Sequence, residues 1–493
     1  MHALLATSIG VTCAAALTLP LAAPAPAAPV PAPGAHAPAA SAAEPSGSTQ
    51  SLPLRPLTEA SPRATESVSP LARGLRQRDA HRFSLVGVVW DDADAELHGT
   101  VQVRARATGT GRWSGWQDLE THNTDHAADA GSAERTSGRV RGSTAPLWVG
   151  DSDGVEVRVR SGDSGPQNRA GGTAPLPEGL RVELVDPGDD PQQPPTAGDP
   201  VTVTPTTGTP ATGTPATGTP ATGTPAVGTP ATVTPVTSPQ PGALPEAAGL
   251  SLAAAESSAV NADLAPLGAT EIPALSKAES EEQAVVAAGA KPFVGPRPRI
   301  VTRKGWGADE SIRERAFAYT TTVKAAFIHH SATGNNYTCS QAPSVLRSIY
   351  RYHVKSSGWR DFGYNFAVDK CGNIYEGRAG GVTKPVLGAH TLGFNSKSMG
   401  IAVLGTYSAK NPPAAAVTAI AKLTAWKLGL FGRNPKSKVT LVSGGSGKYK
   451  KGANVKLNVI SGHRDGFATE CPGSRLYKKL GTARTSSARL QGR

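Results

Sequence analysis

Two histidines and a cysteine have the residue types and spacing of a metal site that carries out chemistry. His463 and Cys471 lie eight residues apart, just before a predicted helix, and a distant apolar segment ends in His329 and His330. Two imidazoles, one thiolate and an open fourth position are typical of a catalytic zinc site, whereas structural zinc sites have four protein ligands. A water bound to such a zinc ion is a nucleophile at neutral pH. The pattern therefore predicts a metal-dependent hydrolase.

The two adjacent histidines cannot both face one metal. Residues 323–331 are apolar enough for a buried strand, and successive side chains of a strand point to opposite faces. A single histidine on a strand is more often structural than a ligand, but the presence of His463 and Cys471 favours a ligand here. Cys471 precedes a predicted helix, and both a helix N-terminus and a metal stabilise a thiolate.

The charge of the chain is concentrated in its C-terminal part. The 493 residues carry a formal net charge of +12, with −13 in residues 1–290 and +25 in residues 291–493. A basic surface of this kind is either simply solvated or attracts a polyanion, which would be nucleic acid or the anionic bacterial cell wall. No nucleic-acid-binding motif accompanies the charge, so we expect the cell wall and not nucleic acid as the partner.

The N-terminal sequence and the cysteines indicate an exported protein. Residues 4–23 are apolar and rich in small residues, although no Lys or Arg precedes them, and an A-x-A-type cleavage site follows. Removal of this signal would take Cys13 with it and leave three cysteines. One disulfide between Cys339 and Cys371 and one metal thiolate at Cys471 account for all three. We expect a secreted or cell-wall location, with no membrane span after the signal is removed.

Composition divides the chain into six parts. Alternating apolar runs between Gly, Asp and Ser turns predict a small antiparallel β-sandwich. Regularly spaced prolines predict an extended linker, and strands interleaved with helices predict an α/β domain with a mixed central sheet flanked by helices. In chain order we predict a signal peptide (1–28), a disordered Ala/Pro/Ser-rich segment (29–78), a β-sandwich accessory domain (79–187), a Thr/Pro/Gly repeat linker (188–242), an Ala/Glu-rich linker (243–292) and the metal-site domain (293–485).

Individual elements follow from the periodicity of apolar residues. Four tryptophans of the β-sandwich form either a carbohydrate-binding face or part of the core, and we expect at least two of them in the core; they are Trp90, Trp113, Trp116 and Trp148. Strands are predicted at 83–90, 100–106, 155–160, 180–185, 323–331, 364–368, 373–375, 399–404, 439–443 and 455–460. Helices are predicted at 277–288, 340–355, 414–428 and 473–480.

Seven stretches of the C-terminal part follow one another in the order known from one protein family. They are Arg303–Ala308, Phe327–Thr333, Gly358–Phe366, Gly372–Arg378, Gly388–Asn395, Met399–Gly405 and Ser461–Gly473. On these motifs, residues 297–480 resemble the peptidoglycan recognition protein family, which overlaps the type 2 N-acetylmuramoyl-L-alanine amidases. The β-sandwich and the Thr/Pro linker resemble extensions of secreted amidases from high-GC Gram-positive bacteria.

The resemblance implies a zinc amidase. The zinc ligands that it implies are His329, His463 and Cys471. It further implies that His330 is a packed neighbour, that Tyr364 orients or deprotonates the zinc-bound water, and that Thr469 stabilises the oxyanion at a position that is Lys in some members. The bond cleaved would be the amide between N-acetylmuramic acid and the L-alanine of the peptidoglycan stem peptide.

The resemblance also identifies a substrate groove. His390 and Asn395 match residues that line this groove, and Arg378 is compatible with an extra carboxylate on the stem peptide. Many members have Gly-Trp or Asn-Phe directly after the motif that matches Glu376–Arg378, and this pair separates recognition of diaminopimelate-type from lysine-type stem peptides. This chain has Ala379–Gly381 at that place, so the class of stem peptide stays open. The alternative function is non-catalytic peptidoglycan recognition. Members of that kind typically lack the zinc cysteine, so the sequence favours an enzyme, which we expect to be monomeric.

Overall fold

A computed structural model describes residues 47–59, 67–121, 123–162, 174–190, 250–288 and 293–493. The predicted signal peptide and residues 191–242 of the predicted repeat linker lie outside the described residues. None of the described helices has the length and apolar character that crossing a membrane requires.

Eight strands, all paired antiparallel, form the N-terminal β domain. In the fourth strand Val101 and Val103 are buried while Gln102 and Arg104 are half-buried, as expected for a strand with one face on a core. The strands are β1 Ser48–Pro53, β2 Arg55–Glu59, β3 Ser67–Trp90, β4 Gly99–Ala107, β5 Gln117–Leu119, β6 Gly142–Ser143, β7 Leu147–Ser161 and β8 Arg181–Asp186. Their order is β1-β8-β3-β7-β4-β5, and β2 and β6 also pair with β3. The predicted antiparallel β domain and its four predicted strands are confirmed.

The tryptophans of the β domain fall into two groups. Trp90 and Trp148 are buried, as expected for at least two of the four. Trp113 and Trp116 are half-buried, and the guanidinium group of Arg104 lies over both rings, 5.4 and 5.2 Å from their centroids.

A seven-stranded mixed sheet is the centre of the C-terminal domain. Its strands are β9 Glu271–Ile272, β10 Ile300–Val301, β11 Ala325–His330, β12 Phe366–Val368, β13 Ile374–Glu376, β14 Ser398–Val403 and β17 Ile460–Gly462, in the order β17-β11-β14-β12-β13-β10-β9. The strands β11, β14, β12 and β17 are parallel along the central part, and β9 and β13 supply antiparallel pairs. A separate hairpin consists of β15 Lys438–Val442 and β16 Asn454–Asn458. The predicted mixed α/β fold is confirmed.

Helices cover both faces of this sheet. The described helices are α1 Leu252–Ala259, α2 Lys277–Ala288, α3 Arg303–Trp306, α4 Ala342–Arg351, α5 Ala414–Gly429, α6 His463–Gly466, α7 Ser474–Tyr477 and α8 Leu480–Gln491. A π-helical turn, Tyr352–Ser356, extends α4. The helices α5 and α8 pack together against Ile328 and Ile401 on one face, and α4 packs through Val345 and Ile349 on the other.

Two segments that were predicted to be disordered or linker contain structured elements. Residues 29–78 were predicted to be disordered, but β1, β2 and the first part of β3 lie there, and β1 pairs with β8 along its whole length. Residues 243–292 were predicted to be a linker, but β9 adds to the central sheet beside β10, and Asn261 donates a 2.8 Å hydrogen bond to Glu376. Both segments gain their hydrogen bonds from distant partners, which local composition does not reveal.

The β domain and the C-terminal domain share a hydrophobic core. Leu85, Val89, Trp148 and Val185 of the β domain cluster with residues of α4 and its π-helical turn. Tyr352 is fully buried at this junction, where its hydroxyl donates to the carbonyls of Val88 and Thr144 at 3.3 and 3.0 Å. The two domains are therefore packed as one body.

The predicted disulfide between Cys339 and Cys371 is present. It ties the start of α4 to the β12–β13 hairpin, across a sequence separation of 32 residues. Closing a loop of this length restricts the unfolded chain and contributes about 3–4 kcal/mol to stability in the chain-entropy model. Cys471 carries no disulfide and is buried.

Candidate metal site under a loop of the β domain

Two parallel strands bring His329 and His463 together. Ile328 of β11 pairs with Gly462, the last residue of β17, so the residues that follow them in the chain, His329 of β11 and His463 at the start of α6, are neighbours. Their rings lie 4.6 Å apart, and both side chains are fully buried. The carboxyl ends of parallel strands meet at one edge of the sheet, which explains how residues 134 positions apart share a site.

His330 faces away from this site. Its Nδ1 atom accepts a 3.2 Å hydrogen bond from the backbone N–H of Tyr407, and its Nε2 atom lies 3.4 Å from a carboxylate oxygen of Glu120. The alternation of side chains along β11 therefore sends only His329 toward His463.

Cys471 completes the predicted set of three. Its Sγ atom lies 3.7 Å from Nδ1 of His329, and its exposed fraction is 2%. The loop between α6 and α7 is held in place because the backbone N–H of Arg464 donates to the carbonyl of Cys471 at 3.0 Å. The structure thus brings together all three residues that the sequence singled out as zinc ligands.

Tyr364 and Thr469 lie around the same site. The ring of Tyr364 is 5.2 Å from that of His329, and the backbone N–H of Arg378 holds the Tyr364 carbonyl at 2.8 Å. The hydroxyl oxygen of Thr469 accepts a 3.2 Å hydrogen bond from the backbone N–H of Cys471. The Thr469 hydroxyl therefore keeps its own proton for donation.

The three predicted groove residues occupy different places. His390 is fully buried behind His329, with the ring centroids 5.3 Å apart. The side-chain oxygen of Asn395 accepts from the N–H groups of His390 and Thr391 at 2.7 and 3.0 Å. Arg378 is buried and donates through Nε to the carbonyl of Phe362 at 2.7 Å.

A fourth donor comes from the β domain. We call residues 123–139, which connect β5 to β6, the covering loop. His126 of this loop places a ring nitrogen with the donor atoms of His329, His463 and Cys471, and these atoms all lie within 4.8 Å of one another. Its ring is 4.5 Å from that of His463. Sequence reasoning missed His126 because a histidine in a polar loop of a distant domain has no motif around it.

Burial governs the protonation of these groups. Burial lowers the pKa of both His329 and His463 well below its usual value, helped by the neighbouring imidazoles, and lowers the pKa of His126 to about 3. Burial and the Asp125 carboxylate raise the pKa of the Cys471 thiol. The imidazoles are therefore neutral at pH 7, which is the form that binds metals, and a cation among them would offset the cost of a buried thiolate.

Comparisons with known proteins agree with the motifs. Residues 319–474 match the family described as N-acetylmuramoyl-L-alanine amidase, and residues 35–178 match one described as Rv3811 N-terminal galactose-binding domain-like. Peptidoglycan-recognition protein SC2 of Drosophila simulans is 33% identical over 185 residues, covering 37% of this chain and 85% of that protein.

Two further proteins are similar to this chain. The N-acetylmuramoyl-L-alanine amidase of Homo sapiens is 31% identical over 211 residues, covering 41% of this chain and 32% of the human protein. Among solved structures, Drosophila PGRP-LB is similar at 27% identity with a TM-score of 0.30, covering 37% of this chain and 93% of that one. The chain belongs to the peptidoglycan recognition protein family, and it carries an amidase-type domain of that family behind an N-terminal galactose-binding-like domain.

Proposed function

We propose that this protein is a zinc-dependent hydrolase that cleaves the amide bond between N-acetylmuramic acid and L-alanine in peptidoglycan. The main observation in support is that the buried donor atoms of His329, His463 and Cys471 lie close together beside Tyr364. The chain also belongs to a family that includes amidases. We also propose that the protein is exported to the cell wall, as its N-terminal sequence and basic C-terminal part predict.

The donor set fits zinc. Nδ1 of His463 is buried and makes no hydrogen bond to any described residue, as expected of an atom that needs a metal. In a tetrahedral zinc site with bonds of about 2.0–2.3 Å, ligand atoms are separated by roughly 3.3–3.8 Å. The 3.7 Å between Nδ1 of His329 and Sγ of Cys471 falls in this range. When bound, zinc would lower the pKa of water and polarise the scissile carbonyl.

Neighbouring groups orient the ligands. With the covering loop in place, the outer nitrogen of His463, Nε2, lies 3.1 Å from the backbone carbonyl of Asp125 in that loop, to which it donates when Nδ1 is the ligand atom. The outer nitrogen of His329 lies 3.5 Å from the hydroxyl of Thr391. Such contacts fix the tautomer and the ring orientation of metal-binding histidines.

Tyr364 and Thr469 supply the remaining chemistry. Burial, the nearby Cys471 and acidic side chains raise the pKa of the Tyr364 phenol, so the hydroxyl keeps its proton and orients the attacking water by hydrogen bonding. The hydroxyl proton of Thr469 is available to stabilise the oxyanion that develops on the carbonyl.

Metal dependence is the first test. Two side chains of the covering loop contact predicted site residues: His126 lies among the metal donors, and Glu134 accepts hydrogen bonds from Arg378 at 2.8 and 2.9 Å. Release of peptide from intact sacculi is therefore measured on two proteins. One is the unchanged full chain, and the other is an opened variant with both His126→Ala and Glu134→Gln. We expect zinc-dependent release that a chelator abolishes and added zinc restores. A zinc-loaded opened variant that binds sacculi without cleaving them would instead support non-catalytic recognition.

Because His329 and not His330 is the proposed zinc ligand, substitutions at these two adjacent residues should differ in their effect on zinc binding. His329→Ala should lose bound zinc, because its Nδ1 faces Cys471. His330→Ala is the matched control, since His330 is equally buried but its Nδ1 is taken by the N–H of Tyr407. Zinc per chain, measured by mass spectrometry of the metal, should therefore fall only in His329→Ala. Loss of zinc in His330→Ala alone would reverse the assignment.

A further inference from the structure

The covering loop occupies the site with its own functional groups. The hydroxyl of Tyr364 lies 3.2 Å from Nδ1 of His126. The side-chain amide of Asn395 donates to the carboxylate of Asp129 and to the carbonyl of Ala127, at 2.7 and 3.0 Å. These contacts place the loop directly over the candidate metal ligands and the predicted substrate groove.

His126 has the position of a fourth metal ligand. Its Nδ1 atom lies 3.2 Å from the hydroxyl of Tyr364 and its Nε2 atom 3.7 Å from a carboxylate oxygen of Asp125, and one of these two nitrogens belongs to the donor cluster, whose atoms lie within 4.8 Å of one another. A catalytic zinc site needs an open position for water or substrate, whereas four protein ligands close the coordination sphere. With His126 in place, the site therefore has the donor set of a closed site.

Glu134 binds the guanidinium group of Arg378, which the family resemblance made compatible with a carboxylate of the stem peptide. Its two oxygens accept from the two terminal nitrogens of Arg378 at 2.8 and 2.9 Å, and the N–H of Arg360 adds a third contact at 3.1 Å. Two parallel charge-assisted hydrogen bonds are the strongest arrangement of this pair. A carboxylate on a stem peptide would have to displace Glu134 to reach Arg378.

The covered site excludes a polymer. The exposed fraction is 0% for His329 and His463, 2% for Cys471 and 4% for Tyr364. The position of the loop is also fixed by the rest of the β domain, which shares a hydrophobic core with α4. Just after the loop, the backbone N–H of Arg141 donates to the carbonyl of Ser357 at 3.0 Å. Peptidoglycan cannot reach these residues unless the loop moves away.

We propose that the covering loop keeps the protein in a latent state, with His126 as a fourth zinc ligand and Glu134 in place of a substrate carboxylate. This inference rests on the proposed function. Activation then requires displacement of the loop, and the unchanged chain cleaves peptidoglycan only in the fraction of molecules that is open. If fewer than about one molecule in ten is open, opening raises the rate roughly tenfold or more.

Coordination gives a readout that does not depend on activity. In the Co²⁺-substituted full chain, azide should leave the visible absorption spectrum unchanged, because His126 fills the fourth position. In His126→Ala the spectrum of the cobalt should change, and azide should change it further by entering the open position. His98→Ala is the control, because His98 is an exposed histidine of the same domain that pairs with Glu96. A response to azide in the unchanged chain equal to that of His126→Ala would overturn the role of His126.

Peptide release from sacculi tests latency. We expect His126→Ala, Glu134→Gln and the opened variant each to release peptide faster than the unchanged chain, and thermal melting of each variant verifies folding. Glu134→Gln leaves the metal donors intact, so it keeps the test valid if His126→Ala folds poorly. Equal rates for all proteins, or a lower rate in His126→Ala, would overturn latency alone. No cleavage by any zinc-loaded variant would overturn the proposed function, and the cobalt spectra would then decide the role of His126 independently of activity.

Discussion

Replacing Cys471 with serine is expected to abolish zinc binding and peptidoglycan cleavage. A serine hydroxyl does not ionise at neutral pH, so the site loses the thiolate that Cys471 contributes to the donor cluster. Changes to groups that merely orient metal ligands cost about 10–100-fold, and loss of a ligand should exceed that range. Zinc per chain and the rate of peptide release are measured in the opened variant, so that latency does not conceal the effect.

Tyr364→Phe is the matched comparison for Cys471→Ser. In the opened variant, which lacks His126, it removes one hydroxyl and none of the three remaining donors, so zinc should remain. Turnover should fall by about 10²-fold, the cost of a misplaced reacting group, because the attacking water is no longer oriented. The two variants thus distinguish coordination of the metal by Cys471 from orientation of the attacking water by Tyr364. Full zinc in Cys471→Ser, or full turnover in Tyr364→Phe, would contradict the assigned roles.

Glu310→Gln is expected to lower the stability of the C-terminal domain strongly. Glu310 is buried and accepts from two buried guanidinium groups, from Arg303 at 2.6 Å and from Arg313 at 2.5 Å. The substitution removes the carboxylate that pairs with the buried guanidinium of Arg313, and breaking a buried ion pair on one side costs about 3–5 kcal/mol. The network matters for the site because Arg303 also pairs with Asp361, next to the segment that carries Tyr364.

Glu271→Gln provides the control for this prediction. Glu271 pairs with Arg299 at 2.5 Å, but both side chains are about half exposed, so the pair contributes roughly 0–1 kcal/mol. The free energy of unfolding of both variants is measured by urea denaturation. A loss below about 1 kcal/mol in Glu310→Gln would show that solvent or rearrangement compensates the charge of the two arginines.

Local periodicity was sufficient to predict most of the fold. The alternation in 100–106 and the helical spacing of Val345, Leu346 and Ile349 correspond to β4 and α4, because a strand or helix with one buried face imposes its period on the sequence. The disulfide between Cys339 and Cys371 was predictable from the number of cysteines, because three cysteines allow few arrangements.

Long-range pairing was not predictable in the same way. The strand β1 contains Ser, Thr and Pro, and it is a strand only because β8 lies beside it. The role of the covering loop was even less predictable from the local sequence. Asp129, Glu134 and His126 have the appearance of ordinary loop residues, and their meaning depends on which residues of the other domain they meet, namely Asn395, Arg378 and the donor cluster.

The most direct test of the proposed function is the identity of the bond that is cleaved. The opened variant is loaded with zinc and incubated with intact sacculi, and the soluble products are identified by mass spectrometry. We expect stem peptides with a free amino group on L-alanine, glycan strands that retain the lactyl group of muramic acid, and no release after treatment with a chelator. Products cleaved within the glycan or within the stem peptide, or no products from the zinc-loaded protein, would contradict it.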